Sequence, residues 1–132
     1  MNQRPQDYAP DDVDAPFWEA CERGEFLLQR CPRSGRHHWP AVADPEHGSG
    51  LEWVPASGRG TIHTFTILHK AYSAEHAERV PYNVIVVELE EGPLFHSNLI
   101  ECPNEEIEVG MPVELVWERR DGANLPLFRP RR

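Results

Sequence analysis

The chain has 132 residues, enough for one ordinary domain or a small domain with an appendage. Charged residues make up 27 % and apolar residues 39 %, a globular balance, and the formal charge of −9 argues against nucleic acid as a general partner, because phosphate binding needs a basic surface. No apolar stretch approaches the roughly 20 residues of a membrane span, and the polar, acidic opening MNQRPQDYAPDDVD is not a secretory signal.

Thirteen prolines and nine glycines favour short strands and turns over long helices. Cys21, Cys31 and Cys102 show no paired spacing, and an odd count without a signal peptide predicts a reducing, cytoplasmic setting. Residues 1–14 and 101–108 are acidic, while Arg119, Arg120, Arg129, Arg131 and Arg132 make the C-terminal end basic.

Residues 1–13 read as an extended arm. Asp14-Ala15-Pro16 resembles a helix start, with Asp as N-cap and Pro in the first turn. Phe17, Ala20 and Cys21 follow at i, i+3, i+4 spacing, and Gly24 stands where a helix ends. Such a helix is barely two turns long and must dock through Phe17 and Trp18 to persist. Docking on this chain and docking on a partner are both open at this point.

Glu25 to Arg30 reads as a short strand, followed by a knuckle-like turn from Cys31 to Gly35 and a second strand through His37, His38 and Trp39. Residues 41–50 read as loop, and Leu51 to Val54 as a third short strand. Gly58-Arg59-Gly60 turns the chain into a long β segment, Thr61 to His69. Residues 70–80 are a polar connection with room for one helical turn.

Val84 to Val87 is an unbroken β-branched run, and past it the pattern alternates, with Ile85, Val87 and Leu89 on one face and Glu88 and Glu90 on the other at period two. This predicts a strand buried on both faces in its middle. Glu91-Gly92-Pro93 breaks it, and Leu94 to Ile100 returns as the second arm of a hairpin. Pro103 to Ile107 is a turn or a single helical turn. Val113, Leu115 and Trp117 share one face of the next strand, with Glu114 and Glu118 opposite. Arg120-Asp121-Gly122 is a hairpin turn leading into Leu125 to Phe128. The expectation is a mainly β fold: a short N-terminal helix, a small ribbon-like hairpin and a five-stranded Greek-key barrel of the OB type, with a β-sandwich as the alternative. The expected division is arm and helix over 1–30, ribbon over 31–57 and barrel over 58–132.

The ordered signals resemble a known family. They are Phe17-Trp18-Glu19 with Gly24, Leu28-Gln29-Arg30-Cys31 with Gly35, Trp39-Pro40, Leu51-Glu52-Trp53, and Gly58-Arg59-Gly60-Thr61 with Thr64-Phe65-Thr66. They continue through Pro81-Tyr82, Val87 to Gly92, Val109 to Val113 and Leu125 to Phe128. In this order they resemble the acyl-CoA-associated proteins of once-unknown function that join an N-terminal rubredoxin-like zinc ribbon to a C-terminal OB-fold. The resemblance implies a small accessory subunit beside a thiolase-like enzyme, such as an acyltransferase or retro-aldolase acting on CoA thioesters. The partner would hold the nucleophilic chemistry, and the OB module would scaffold it and help line the CoA channel, with a CoA thioester as ligand of the complex.

The ribbon departs from that family. Two Cys-x-x-Cys pairs suit tetrahedral Zn²⁺, but here Cys31 alone stands at a cysteine position, with Ser34, Asp44 and His47 at the others. We read it as a ribbon without its metal, held by packing of Trp39, Pro40 and Trp53. If zinc is bound, the ligands expected are Cys31, Asp44 and His47, with His37 or His38 as fourth donor.

For the partner surface the sequence offers Phe17, Trp18, Arg129 and Arg131. For CoA it offers Arg59, His63 and Phe65 near the barrel entrance. His63 and His69 are six residues apart and are expected to share a strand face with Phe65 and Ile67. His76 and His96 read as ordinary polar residues, and no catalytic residue is assigned, because spacing assembles no Ser-His-Asp or Cys-His pairing. Two other functions stand beside the accessory subunit. One is a stand-alone acyl-CoA thioester enzyme with histidine as base. The other is a nucleic-acid-binding OB module stacking bases on Phe65, Tyr72 and Tyr82, against which the acidic charge weighs.

Overall fold

The computed structural model describes residues 15–39, 51–69 and 81–132. The helix α1 runs Ala15–Glu22 and buries Phe17, Ala20 and Cys21, the three residues the helical spacing picked out. Gly24 has φ +74°, and the N–H groups of Gly24 and Glu25 donate to the carbonyls of Cys21 (3.0 Å) and Ala20 (2.9 Å). This pair of bonds is a Schellman ending, which satisfies the last helical carbonyls and needs a residue at ease with positive φ. The Asp14 cap lies outside the described residues, as do the arm, residues 41–50 and the helical turn expected within 70–80.

Three short strands follow: β1 (Leu27–Arg30), β2 (His37–His38) and β3 (Glu52–Pro55), in the antiparallel order β2-β1-β3. β1, on the N-terminal side of the boundary expected at 30/31, is the central strand of this sheet.

The second sheet contains β4 (Arg59–Leu68), β5 (Tyr82–Leu89), β6 (Leu94–Ser97), β7 (Pro112–Arg120) and β8 (Ala123–Pro130), in the order β6-β5-β4-β7-β8. A 3-10 turn, Asn104–Glu106, sits in the connection from β6 to β7. The sheet curls until its two edges meet. Leu99 bridges Phe128 in parallel, the Ile100 N–H donates to the Phe128 carbonyl at 2.8 Å, and the Phe128 N–H donates to the Asn98 carbonyl at 3.1 Å. Strand order and this parallel closure are those of an OB-fold.

β5 is buried on one side only. Ile85, Val87 and Leu89 point into the core, while Val84 and Val86 are half-buried on the outside. Burial on both faces, expected from the β-branched run, is therefore not what the barrel makes of it. The β7–β8 hairpin turns through Asp121 (φ 52°) and Gly122 (φ 83°), the paired positive φ of a two-residue turn that matches strand twist.

Helix, ribbon and barrel share one core. Phe17 lies in it with centroid distances of 4.3 Å to Trp39, 6.1 Å to Phe26 and 6.2 Å to Phe95, and Phe95 in turn meets Phe26 at 5.2 Å and Phe128 at 6.2 Å. Phe26 and Leu28 come from the ribbon side, Ile62, Ile85, Val87 and Val113 from the barrel.

A polar clasp fixes the helix end to the barrel. The Asn124 N–H donates to Glu22 Oε2 at 2.8 Å, Arg119 Nη2 donates to Glu22 Oε1 at 3.1 Å, and Asn124 Nδ2 donates to the Cys21 carbonyl at 2.7 Å. The Asn124 N–H, and after it the Arg119 guanidinium, hold the Glu22 carboxyl below its ordinary value of 4.5. A carboxyl depressed in the folded state stabilises above its unfolded pKa, and that stabilisation is lost as pH falls through the folded value. The melting-temperature gap between the native chain and Glu22→Gln is therefore expected to be present at neutral pH and to close at an acidic pH below the carboxyl's folded value. Thermal melts at the two pH values check this; a gap that survives acid means Glu22 acts through something other than its charge.

Candidate functional site

The residues proposed from sequence do not meet in one place. Phe17 is 0 % exposed, so it cannot anchor a partner; its ring is spent holding the helix to the chain's own core. Trp18 is half-buried and meets Phe17 edge-on at 5.0 Å. Arg129 lies across the β7–β8 ladder from Glu114 and pairs with it at 2.9 Å, and reaches Glu101 at 3.5 Å. Those contacts raise the Arg129 pKa and tie up the guanidinium. Arg131 is exposed and lines a groove of about 330 Å³ with Gly60, Thr61, Glu88, Leu89 and Glu90.

The barrel-entrance residues also separate. Arg59 is exposed, but its Nε donates to both Glu90 oxygens at 3.1 and 3.2 Å, which raises its pKa. The β4–β5 register slips between Ile62 and Thr64, so His63 is the extra residue of a β-bulge. A bulge resets the alternation: His63 is exposed, whereas Phe65 and Ile67 turn toward the core side with Ile62. The expected common face of His63, His69, Phe65 and Ile67 therefore does not form. His69 lies past the end of β4 and is exposed, and His96 is exposed on β6.

The knuckle closes as a tight turn. The Gly35 N–H donates to the Cys31 carbonyl at 2.7 Å, the Cys31 N–H to the Arg36 carbonyl at 2.9 Å, and the Arg36 N–H to Ser34 Oγ at 3.2 Å. Cys31 is buried, while Ser34, in place of a cysteine, is exposed with its hydroxyl inside this turn. His37 and His38 sit on β2, and His38 Nε2 is buried with no hydrogen-bond partner among the described residues. Asp44, His47 and Pro40 lie outside the described residues. Among the described residues no three His, Cys, Asp or Glu side chains gather in one place. Trp39 packs on Phe17 and, at 4.9 Å, on Phe95, with Trp53 half-buried against the same core.

Neither Cys21 nor Cys102 is poised for attack. Burial, then the neighbouring Glu22 charge, pushes Cys21 up to about 12, and burial also raises Cys102. A thiol so raised is neutral near pH 7 and is a poor nucleophile.

One feature escaped sequence reasoning. Asn83, Asn98 and Asn104 converge at one end of the barrel. Asn83 is buried; its Nδ2 donates to the Leu99 carbonyl (2.9 Å) and to Asn104 Oδ1 (3.1 Å), and its Oδ1 accepts from the Leu99 N–H (2.7 Å). Asn98 Nδ2 donates to the Asn83 carbonyl, and Asn104 Nδ2 to the Pro81 carbonyl at 3.3 Å. Asparagine in the middle of a strand is disfavoured, and Asn83 beside a β-branched run was the available signal. The network borders a cavity of about 330 Å³.

Residues 53–118, half of the chain, match the family described as "ChsH2, C-terminal OB-fold domain". The chain belongs to that family. A "DUF35 domain-containing scaffold protein" of Methanothermobacter thermautotrophicus is 32 % identical over 101 residues, covering 74 % of this chain and 75 % of that protein. A "Probable enoyl-CoA hydratase alpha subunit" of Thermomonospora curvata is 36 % identical over 122 residues, 89 % of this chain but only 37 % of that protein. The chain thus spans little more than a third of that relative's length. Among solved structures, a chain of the "Ltp2-ChsH2(DUF35) aldolase" superposes with a TM-score of 0.84 at 32 % identity, covering 93 % of this chain and 98 % of that one. The ChsH2 family membership accounts for the OB barrel. No helix among the described residues is long and apolar enough to cross a membrane.

Proposed function

We propose that this chain is a non-catalytic accessory subunit that binds and scaffolds a thiolase-like enzyme acting on acyl-CoA thioesters. The likeness to a chain of the Ltp2-ChsH2(DUF35) aldolase, nearly end to end in both, carries this reading. The chemistry of the site agrees with it. The Cys21 and Cys102 thiols are raised, His63, His69 and His96 lie exposed on the surface, and Arg59 and Arg129 are paired with carboxylates. In this reading the partner meets the exposed flank of the helix at Trp18 and the C-terminal end at Arg131, and the barrel lies beside the CoA channel. The setting is the cytoplasm, where CoA thioesters are made and used.

A second reading rests on the hydratase alpha subunit relative, in which the matched region is one part of a longer protein. There the same module would serve a hydratase rather than a retro-aldolase. Co-expression with a thiolase-like protein and, separately, with a hydratase-fold protein from the same genome distinguishes the two. The expected result is a stable complex with the thiolase-like protein in size-exclusion chromatography and CoA-thioester cleavage that needs both chains. Brisk thioester turnover by the isolated chain, or a complex with the hydratase alone, would overturn the first reading.

A further inference from the structure

β4 outruns one of its neighbours. On one side it pairs with β5 as far as Leu68, which faces Tyr82; on the other it pairs with β7 only from Arg59 to Thr61. Ile62 makes the last bonds on that second side, its N–H donating to the Met111 carbonyl at 3.0 Å and its carbonyl accepting from the Gly110 N–H at 2.7 Å. From His63 to Leu68 nothing among the described residues pairs with the side of β4 turned away from β5. The backbone groups of such an edge bond to water or to another strand.

Strand edges are ordinarily guarded by charged side chains, by proline or by being short. Residues 63–68 contain no Asp, Glu, Lys, Arg or Pro. The bulge at His63 marks where the unpaired stretch begins, and past it the β4–β5 ladder runs in register to Leu68. Thr64 and Thr66 are exposed, while Phe65 and Ile67 are half-buried and packed on the core. An added strand therefore meets polar and apolar neighbours alternately.

The charge beside the edge selects the occupant. Gly110, bonded to Ile62, ends the connection from β6 to β7, and Glu105, Glu106 and Glu108 are exposed in that connection. None of the three is in an ion pair among the described residues. Val109, next to Gly110, is 65 % exposed, against 41 % for Leu94. Arg131 lies at the paired end of β4, in the groove with Gly60 and Thr61. A second copy of this chain brings the same carboxylates and a formal charge of −9 to the contact, which disfavours pairing of two β4 edges. A basic segment is attracted instead.

We propose that residues 63–68 of β4 take an added strand from a partner protein, a segment in which Lys or Arg alternates with apolar residues. Its main chain bonds to the unpaired edge, its apolar side chains lie beside Phe65 and Ile67, and its cations answer the carboxylates of the β6–β7 connection. The inference deepens the accessory role and rests on that role only for which protein carries the segment.

The test uses the full chain, labelled for NMR, with amide hydrogen exchange followed in the presence of two end-blocked hexapeptides. One alternates lysine with valine; the other has glutamate in place of lysine. The lysine peptide is expected to slow exchange of those amides in 63–68 that β5 leaves unbonded, and the glutamate peptide to leave them unchanged. Replacing Glu105, Glu106 and Glu108 together by Gln is expected to weaken lysine-peptide binding about fivefold at low salt, the sum of three surface ion pairs, with the native spectrum confirmed first. No protection by the lysine peptide, equal protection by both peptides, or unchanged binding in the triple variant overturns the proposal. So does protection of these amides in the peptide-free chain that rises with protein concentration, which would make a second copy the occupant. A chain that forms no complex with a thiolase-like protein, yet is protected by the lysine peptide, loses the accessory role and keeps this inference.

Discussion

Phe17→Ala is expected to destabilise the chain by about 3–5 kcal/mol, the usual cost of removing a fully buried phenylalanine ring. The ring is 0 % exposed and contacts aromatic neighbours from three parts of the chain: Trp18 on its own helix, Trp39 and Phe26 around the ribbon, Phe95 in the barrel. Phe17 is the largest side chain that α1 buries, beside Ala20 and Cys21. The helix has eight residues, too short to persist in water without packing, and the Glu22–Asn124 clasp on its end is half exposed to solvent. Domains of this size are stable by roughly 5–15 kcal/mol, so the variant is expected to lie close to unfolding. Urea denaturation followed by tryptophan fluorescence measures it, since Trp39 loses its main neighbour. A loss below about 1 kcal/mol, no greater than an ordinary surface change, would mean that the helix does not insert this ring into the core. The same experiment separates docking on the own chain from docking on a partner: an anchor reserved for a partner would leave the isolated protein's stability untouched.

Much of this fold was readable before any coordinates. The helix spacing of Phe17, Ala20 and Cys21, the stop at Gly24, the hairpin turn at Asp121-Gly122 and the strand series from β4 to β8 all follow from local rules that tertiary structure left in force. The errors share another cause: each required knowing a neighbour across the sheet. A bulge at His63 has no local signature, yet it moves Phe65 to the opposite side from His63 and dissolves the face on which a CoA contact was expected. Arg129 looks like a free cation in the sequence; only the β7–β8 register places Glu114 opposite it. The aromatic pair Phe17-Trp18 was visible as an anchor, but not what it anchors to. The asparagine network is the extreme case. Its three members are spread over residues 83–104 and become a site only when the barrel closes through Leu99 and Phe128.

The two glycines around Arg59 show how one motif hides two physical demands, and they yield the second large effect. Gly58 has φ +74° and makes the turn into the barrel. Gly60 has ordinary backbone angles and sits inside β4, paired to Leu89 of β5 on one side and to Val113 of β7 on the other. A Cβ built on Gly60 would lie 2.4 Å from the Glu88 carbonyl oxygen and 2.7 Å from Val87 Cγ1. The first of these is backbone in the neighbouring strand, which cannot swing aside as a side-chain tip does. Gly60→Ala therefore forces β4 and β5 apart at the tightest point of the barrel, and overpacking of this kind costs about 1–3 kcal/mol, more where backbone must move. Gly110→Ala is the control, because its added methyl meets nothing within 4 Å and its penalty is that of φ +89° alone, about 1 kcal/mol. The expected order is a larger drop in melting temperature for Gly60→Ala, and a larger one again for Gly60→Val. Equal drops for Gly60→Ala and Gly110→Ala would show that the strands do not close on residue 60. The difference matters beyond stability, since Gly60 also lines the groove that holds Arg131. A barrel opened there would displace Arg131, proposed above as a partner contact, so on that proposal Gly60→Ala is expected to weaken complex formation while Gly110→Ala leaves it intact.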